Sequence, residues 1–206
     1  MNRVEALEAV VELTEDVPVV ITCAATSREM AFVADRDNHL YLLDSMGLAI
    51  SVGTGLALAL DETSLNRVVV VEGDGSLLMN LNALATTGFL KPRNLVVVLL
   101  DNTSYASTAG IPTYSEILDL GAIARSVGIE VTVASDRPSL ARGLADALQR
   151  PGPHFLHVRI DRGNSVTPLL LLDPVFVKHR FESWLSKRAY GQEAAPEPTP
   201  EPATSR

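Results

Sequence analysis

Two near-continuous apolar runs, Val68–Val71 and Leu95–Leu100, stand out in the pattern of hydrophobic and polar positions. Such runs are typical of parallel β-strands that are covered on both faces. A helical pattern lies between them, from Leu77 to Thr87, and it ends at Gly88. This order predicts a strand–helix–strand unit, whose two strands place their carboxyl ends at the same edge of the sheet. Open α/β sheets bind ligands at that edge.

The remaining pattern predicts a doubly wound α/β fold, with a mostly parallel sheet and helices on both faces. Further strands are expected at Val17–Thr22, Leu40–Leu43, Glu130–Val133 and Phe155–Ile160, and helices at Val4–Leu13, Leu48–Leu60, Leu118–Val127, Pro138–Gln149 and from Pro174 onward. A short helix through Phe32 is expected to be capped by Thr26 or Ser27. One domain, residues 1–190, would include the C-terminal helix. Residues 191–206 contain no large apolar side chain, which predicts a disordered tail.

Polar residues with distinctive chemistry follow both apolar runs. Asp74, flanked by Gly73 and Gly75, follows the first run, and Asn102 follows the second. Mg²⁺ prefers such carboxylate and amide oxygens, keeps few protein ligands and completes its shell with water and phosphate. The glycines give a ligand room to approach the backbone. Ser76 begins a helix whose free N–H groups attract an anion, so the sequence predicts a site for Mg²⁺ and phosphate.

Composition excludes several other classes of function. The net charge of −8 argues against nucleic acid or an anionic membrane surface as a partner. The single cysteine, Cys23, excludes an internal disulfide and a cysteine-bound iron–sulfur cluster, and it fits a reducing compartment. The segment Met1–Val11 lacks the apolar core of a secretory signal, and no apolar run has the length of a membrane span. We therefore expect a cytoplasmic protein. His154 and His157 lack metal-site spacing and are interpreted as structural.

The GDG segment at 73–75, the 26 residues from 76 to 101 and then Asn102 resemble the signature of thiamine-diphosphate enzymes. In those enzymes the signature marks the domain that holds the cofactor's diphosphate through Mg²⁺. The resemblance implies that thiamine diphosphate and Mg²⁺ are the cofactors here. It also implies that Asp74, Asn102 and the backbone carbonyl of Ser104 bind the metal, and that Tyr105 packs beside the diphosphate. The loop at Thr26 and Ser27 is interpreted either as a helix cap alone or as a further contact to the diphosphate.

Several segments resemble a narrower family, the sulfopyruvate and phosphonopyruvate decarboxylases. They read TSRE, SMGLA, EGDGSLLMNL, LAT, PRNL and DN.SY.ST, where a dot marks a position outside the likeness, and the likeness runs from about Val4 to Gly128. The likeness is closest to the separate β subunit of two-subunit sulfopyruvate decarboxylases. By this resemblance the Asp44-Ser45-Met46 segment binds the cofactor, with Met46 setting its bent shape and the carbonyl of Asp44 holding the pyrimidine edge.

Four positions depart from that family's pattern. The family usually has glycine where this chain has Asp44, and its GSTGGQPT segment reads ASTAGIPT here, with Ala106, Ala109 and Ile111 as the changes. Ile111 replaces a polar amide. If that amide contacts the anionic tail of the substrate in relatives, the substrate of this chain differs.

The resemblance also implies a missing part. Family members use a glutamate from a second, pyrimidine-binding domain, and residues 4–160 are already used by one α/β domain. We therefore expect no catalytic residue in this chain, and a partner α subunit that carries the glutamate in a hetero-oligomer. The implied reaction is a lyase reaction, decarboxylation of a small anionic 2-oxoacid, 3-sulfopyruvate or 3-phosphonopyruvate, to the corresponding aldehyde.

Two other classes stay open on sequence grounds. One is another thiamine-dependent subunit, either an acetolactate-type carboligase or a 2-oxoacid oxidoreductase. The other is a non-catalytic subunit that binds cofactor or stabilises a partner. A dinucleotide-binding domain is disfavoured because no G-x-G-x-x-G segment opens a helix after the first strand.

Overall fold

The computed structural model describes residues 1–191, which form a six-stranded parallel sheet and a separate two-stranded hairpin. The strand order in the main sheet is β2-β1-β3-β4-β8-β7. Its strands are β1 (Val19–Ile21), β2 (His39–Tyr41), β3 (Val68–Gly73), β4 (Leu95–Asp101), β7 (Glu130–Ala134) and β8 (His154–Arg159), and the hairpin strands are β5 (Ser104–Tyr105) and β6 (Ile111–Pro112). The helices are α1 (Arg3–Leu13), α2 (Ala25–Val33), α3 (Ala49–Ala59), α4 (Asp74–Leu78), α5 (Asn82–Leu90), α6 (Leu120–Ser126), α7 (Arg137–Gln149) and α8 (Pro174–Tyr190), with a short 3₁₀ helix at Tyr114–Glu116.

Helices cover both faces of the main sheet, which confirms the predicted doubly wound α/β class. Along β3, Val69 and Val71 pack with α1, α2 and α7, whereas Val68 and Val70 pack with α3, α5 and α6. Both sets of side chains are fully buried. Burial of each such side chain contributes about 1.5–3 kcal/mol, so the central strands hold the two layers together. This two-sided burial is the physical reason for the continuous apolar runs.

The predicted helix from Leu77 to Thr87 is wrong in one respect, because the structure divides it into α4 and α5. The break lies at Asn80, whose backbone N–H bonds back only three residues to the carbonyl of Leu77. Its side-chain Nδ2 donates to the carbonyl of Gly47 at 2.7 Å. Asn80 therefore makes a structural contact, whereas Asn82 is exposed.

The predicted cap of α2 is also wrong. The helix begins at Ala25, and its N-cap residue is Ala24, at φ 66° and without a side-chain cap. Thr26 and Ser27 lie inside the first turn, where the hydroxyl of Ser27 donates to the carbonyl of Thr22 at 2.5 Å. Ser27 therefore bonds inward to the end of β1, whereas Thr26, at 6% exposed, lines a cavity there.

Helix α8 packs on the domain beside β2. Asp173 is its N-cap, and Val177 and Phe181 are its buried side chains. Arg180 of the same helix forms an ion pair with Asp35 at 2.7 Å. No helix within residues 1–191 is long and apolar enough to cross a membrane. The predicted tail begins at Gly191, and residues 192–206 lie outside the described part of the chain.

Candidate functional site

A cavity of about 290 Å³ opens at the carboxyl ends of β1, β3 and β4. In the strand order, β2 lies on one side of β1 and β3 on the other, so this edge is a topological switch point of the sheet. Eight of the predicted site residues line the cavity: Met46, Gly73, Asp74, Gly75, Ser76, Asn102, Ser104 and Tyr105. Asp44 and Ser45 do not line it. Asp44 borders a neighbouring cavity beside Arg28 instead.

Asp74 is the carboxylate of the cavity, and it is only 3% exposed. Its Oδ2 accepts hydrogen bonds from the hydroxyls of Thr113 at 2.5 Å and Ser115 at 3.2 Å. Burial raises the pKa of Asp74, more than these two hydrogen bonds lower it. No lysine, arginine or histidine within residues 1–191 forms an ion pair with Asp74. A cation would stabilise its charged form, so this residue is suited to hold a metal.

The neighbouring carboxylate, Asp101 at the end of β4, is neutralised by the protein itself. Its Oδ2 lies 2.7 Å from Nε2 of His157 and 2.7 Å from Nη1 of Arg159. Burial alone would raise the pKa of Asp101, but the hydrogen bonds from His157 and Ser115 outweigh burial and lower it. We interpreted His157 as structural without a nearby carboxylate. The structure places a carboxylate directly against it, from 56 residues earlier in the chain.

Asn102 is 3% exposed and lies one strand away from Asp74 at the cavity wall. Its Oδ1 accepts the backbone N–H of Ser104 at 3.0 Å, while its buried Nδ2 has no partner within residues 1–191. An unpaired buried donor is costly, and phosphate oxygens in the cavity would satisfy it. The second lone pair of Oδ1 remains suited to a cation. The side chain of Asn102 is therefore suited to bind a metal ion together with a diphosphate.

The two glycines of the GDG segment have different surroundings. A β-carbon on Gly75 would lie 2.5 Å from Cε1 of Tyr105, so the tyrosine ring packs directly on this glycine. A β-carbon on Gly73 would meet nothing within 4 Å, and Gly73 lines the cavity. Gly75 thus allows the ring of Tyr105 to pack against the backbone, whereas Gly73 leaves space for a ligand in the cavity.

Ser76 joins three segments around the cavity. Its Oγ accepts the hydroxyl of Thr22 at 2.9 Å and the backbone N–H of Gly47 at 2.8 Å. Thr22 follows β1, and Gly47 belongs to the turn that contains Met46. These bonds hold Met46, 39% exposed, at the rim of the cavity.

The departures from the decarboxylase pattern fall in two places. Asp44 has φ 56°, a left-handed conformation that glycine adopts most easily and aspartate tolerates. This backbone geometry accounts for glycine as the usual residue there. Ala106 lines the cavity, whereas Ala109 and Ile111 are exposed and do not.

Sequence reasoning missed several residues of the site. Thr113 and Ser115 hold Asp74, and Arg3 and Cys23 line the cavity. Hydroxyls in loops and an arginine at the start of a helix carry no sequence signal of their own. Within residues 1–191, no three or more His, Cys, Asp or Glu side chains group as a metal cluster. A cation here would therefore be held by one carboxylate with amide and carbonyl oxygens, and the predicted metal ligands stay predictions.

Residues 21–158 match the family described as thiamine pyrophosphate enzyme, C-terminal TPP binding domain. The chain belongs to this family. The matched span contains all three strand ends at the cavity and every residue that lines it except Arg3.

Curated relatives of this thiamine pyrophosphate enzyme domain include decarboxylase subunits. The chain is 41% identical over 181 residues to sulfopyruvate decarboxylase subunit beta of Methanothermobacter thermautotrophicus, covering 88% of this chain and 94% of the relative. It is 42% identical over 165 residues to phosphonopyruvate decarboxylase of Streptomyces viridochromogenes, covering 79% of this chain but only 41% of the relative. Among solved structures, benzoylformate decarboxylase from Polynucleobacter necessarius shares the fold, with a TM-score of 0.63 at 20% identity over 81% of this chain and 33% of that chain.

Proposed function

We propose that this chain is the β subunit of a thiamine-diphosphate- and Mg²⁺-dependent decarboxylase that acts on a 3-substituted pyruvate. The observation that carries the proposal is the pairing of Asp74 and Asn102 on adjacent strand tips at one buried cavity. The likeness to a sulfopyruvate decarboxylase β subunit over 88% of the chain supports the reaction and the substrate class. The substrate is 3-sulfopyruvate or 3-phosphonopyruvate, and the products are CO₂ and the corresponding aldehyde.

The metal in this proposal is held by Asp74, Asn102 and the backbone carbonyl of Ser104. Burial raises the pKa of Asp74, and a bound Mg²⁺ would keep this carboxylate ionised. Thr113 and Ser115 fix its orientation through their hydroxyls. Supporting groups of this kind orient the ligands of metal sites in general.

Bound thiamine diphosphate supplies the electron sink for the loss of CO₂. The residues of this chain bind and orient it. Gly73, Gly75 and Ser76 border the diphosphate, and Tyr105 packs beside it. The Asp44-Ser45-Met46 turn would hold the pyrimidine side through Met46, which the bond between Ser76 and Gly47 keeps at the cavity rim. Asp44, which borders the neighbouring cavity, would contribute its backbone carbonyl.

The remaining part of the active site comes from a partner α subunit with a pyrimidine-binding domain, which supplies the activating glutamate. The relatives that resemble this chain over nearly their whole length are named subunit beta, which supports a partner. The match covers only 41% of the phosphonopyruvate decarboxylase relative, in keeping with a second domain in that chain.

The test is reconstitution. The full chain is purified alone and together with a candidate α subunit, and aldehyde release from 3-sulfopyruvate and 3-phosphonopyruvate is measured with thiamine diphosphate and Mg²⁺. We expect turnover only by the complex, and none when Asp74→Ala replaces the native β chain. Steady turnover by the chain alone would contradict the proposal that a partner subunit completes the active site. An acetolactate-like ketol as product would identify a carboligase, and a complex that binds cofactor without turnover would identify a non-catalytic subunit.

A further inference from the structure

The charged side chains that line the cavity, within residues 1–191, are one carboxylate and one guanidinium. The carboxylate is Asp74, and the guanidinium belongs to Arg3 in the first turn of α1. Arg3 is only 7% exposed. Arginine is rarely buried to this extent without an anionic partner.

The protein anchors Arg3 through one nitrogen only. Nη1 donates to Oε1 of Glu29 and to Oδ1 of Asn164, both at 3.1 Å. Among the described residues, Nε and Nη2 of Arg3 form no hydrogen bond. The guanidinium is thus held in place at the cavity wall while the rest of its planar donor fork remains available to a guest.

The anchor itself is rigid and buried. Glu29 is fully buried, and its Oε1 also accepts the backbone N–H of Ser165 at 2.8 Å. Asn164 in turn donates through Nδ2 to the carbonyl of Ala106 at 2.7 Å. Three separate segments therefore fix the guanidinium, which reduces the entropy that it loses on binding a ligand.

The burial of the lining residues indicates which part of a bound ligand would contact Arg3. Arg3, Thr26 and Ser104 are 6–8% exposed, whereas Met46 and Met79 are 39% and 58% exposed. The cavity thus has a buried polar region and an open apolar rim. A diphosphate fits the polar region, and an aromatic ring fits the rim. A planar guanidinium recognises phosphate oxygens through two parallel hydrogen bonds.

We propose that Arg3 binds the terminal phosphate of thiamine diphosphate, so that the cofactor is held between a metal on Asp74 and Asn102 and a fixed guanidinium from α1. This inference rests on the proposed function, because it takes thiamine diphosphate as the guest. It makes Arg3 a binding residue that selects the diphosphate over the monophosphate.

The experiment compares two ligands on the full chain by isothermal titration calorimetry with Mg²⁺: thiamine diphosphate and thiamine monophosphate. Arg3→Met keeps an unbranched stem, although a shorter one, and removes the charge. We expect the preference for the diphosphate to fall at least about tenfold, because charge-assisted hydrogen bonds to phosphate are the strong ones. Arg3→Lys keeps the charge but not the fork and should give an intermediate preference.

Two further variants separate binding from structure. Arg137→Met removes the ion pairs that α1 makes through Glu8 and Glu12 far from the cavity, and the preference should not change. Glu29→Gln releases Arg3 from its anionic partner, and the preference should be retained or increase. A fall of at least about tenfold in Glu29→Gln, the size expected for Arg3→Met, would show that the ion pair is only structural. That result would overturn the inference even if Arg3→Met does not fold.

An unchanged preference in Arg3→Met, with native binding intact, also overturns the inference. If that variant instead weakens binding of 3-sulfopyruvate, Arg3 serves the anionic tail of the substrate. A native chain that binds neither thiamine ligand with Mg²⁺, alone or in the complex with the α subunit, contradicts the proposed function itself, so the two failures are distinguishable.

Discussion

The side-chain oxygen of Ser76 accepts the backbone N–H of Gly47 at 2.8 Å, across 29 positions of the chain. This bond joins the turn that contains Met46 to the GDGS segment after β3. Gly47 has φ 81°, and a β-carbon there would lie 3.0 Å from Cβ of Asn80, so glycine is required for the close approach. The position of Met46 at the rim therefore depends on a residue of another segment.

Ser76→Ala should destabilise the chain by about 1–3 kcal/mol, because it leaves the buried N–H of Gly47 without an acceptor. Urea unfolding of the native chain and the variant measures this difference. Ser126→Ala is the control, because the hydroxyl of Ser126 bonds to the carbonyl of Ile123 at the exposed surface. A loss in Ser76→Ala no larger than that of the control would contradict the role of this bond.

Gly75→Ala should destabilise the chain by about 1–3 kcal/mol, because the new methyl group overlaps the ring of Tyr105. A double-mutant cycle with Tyr105→Ala isolates that contact. The cost of Gly75→Ala, measured by urea unfolding, should fall to about half or less when Tyr105 is already alanine. Equal costs in both backgrounds would mean that the glycine is required for another reason.

Asp74→Asn should separate stability from ligand binding. Burial raises the pKa of Asp74, so a neutral amide of the same shape should leave the unfolding free energy of the ligand-free chain unchanged or higher. Mg²⁺-dependent binding of thiamine diphosphate should weaken at least about tenfold, and Asn102→Ala should weaken it similarly. Asp61 is exposed and lies near Arg67 and Asn94, which precede β3 and β4, away from the cavity. Asp61→Asn is therefore the control for the change in net charge. Native-like titrations in both site variants would refute the ligand assignment.

His39 should make the stability of the chain depend on pH. Burial, assisted by the charge of Arg36, lowers the pKa of His39 to about 4 from the usual 6.5. The unfolded chain binds a proton at this residue below pH 6.5, whereas the folded chain resists it until about pH 4. Stability is therefore lost as pH falls through this interval, by about 3 kcal/mol at 1.36 kcal/mol per pKa unit.

His39→Leu tests this linkage. Its unfolding free energy, measured from pH 7 to pH 4, should fall by about 3 kcal/mol less than that of the native chain. Burial raises the pKa of Asp35, but the hydrogen bond from Arg180 helps lower it overall, so this carboxyl titrates below the interval in the native chain. Parallel stability profiles for the two proteins would contradict the assignment to His39.

The parts of the fold that sequence predicts well are those whose signal is local. The strands around Val70 and Val97 are buried on both faces, and the resulting apolar runs mark them directly. The break at Asn80 was not predictable, because it depends on a contact with Gly47 that exists only after folding. Local helix propensity favours continuity there, and tertiary structure overrides it.

The candidate site divides in the same way. Asp74 and Asn102 follow strands, so topology alone predicts that they meet at one edge. The pairing of Asp101 with His157 and the position of Arg3 depend on which strand and helix become neighbours across the sheet. No spacing in the sequence predicts which elements become neighbours. Asp101, His157 and Arg3, each considered alone, are ordinary surface or core residues.

The loop from Thr103 to Thr113 is fastened to the segment that follows β8. Arg162 donates to the hydroxyl of Thr103 and also pairs with Glu116, and Asn164 donates to the carbonyl of Ala106. A ligand that dissociated past the loop would have to break the bonds made by Arg162 and Asn164. We therefore expect ligands to enter and leave past Met46 and Met79. If a second polypeptide covers that rim, the exchange rate of the cofactor should follow the rate at which the two chains separate.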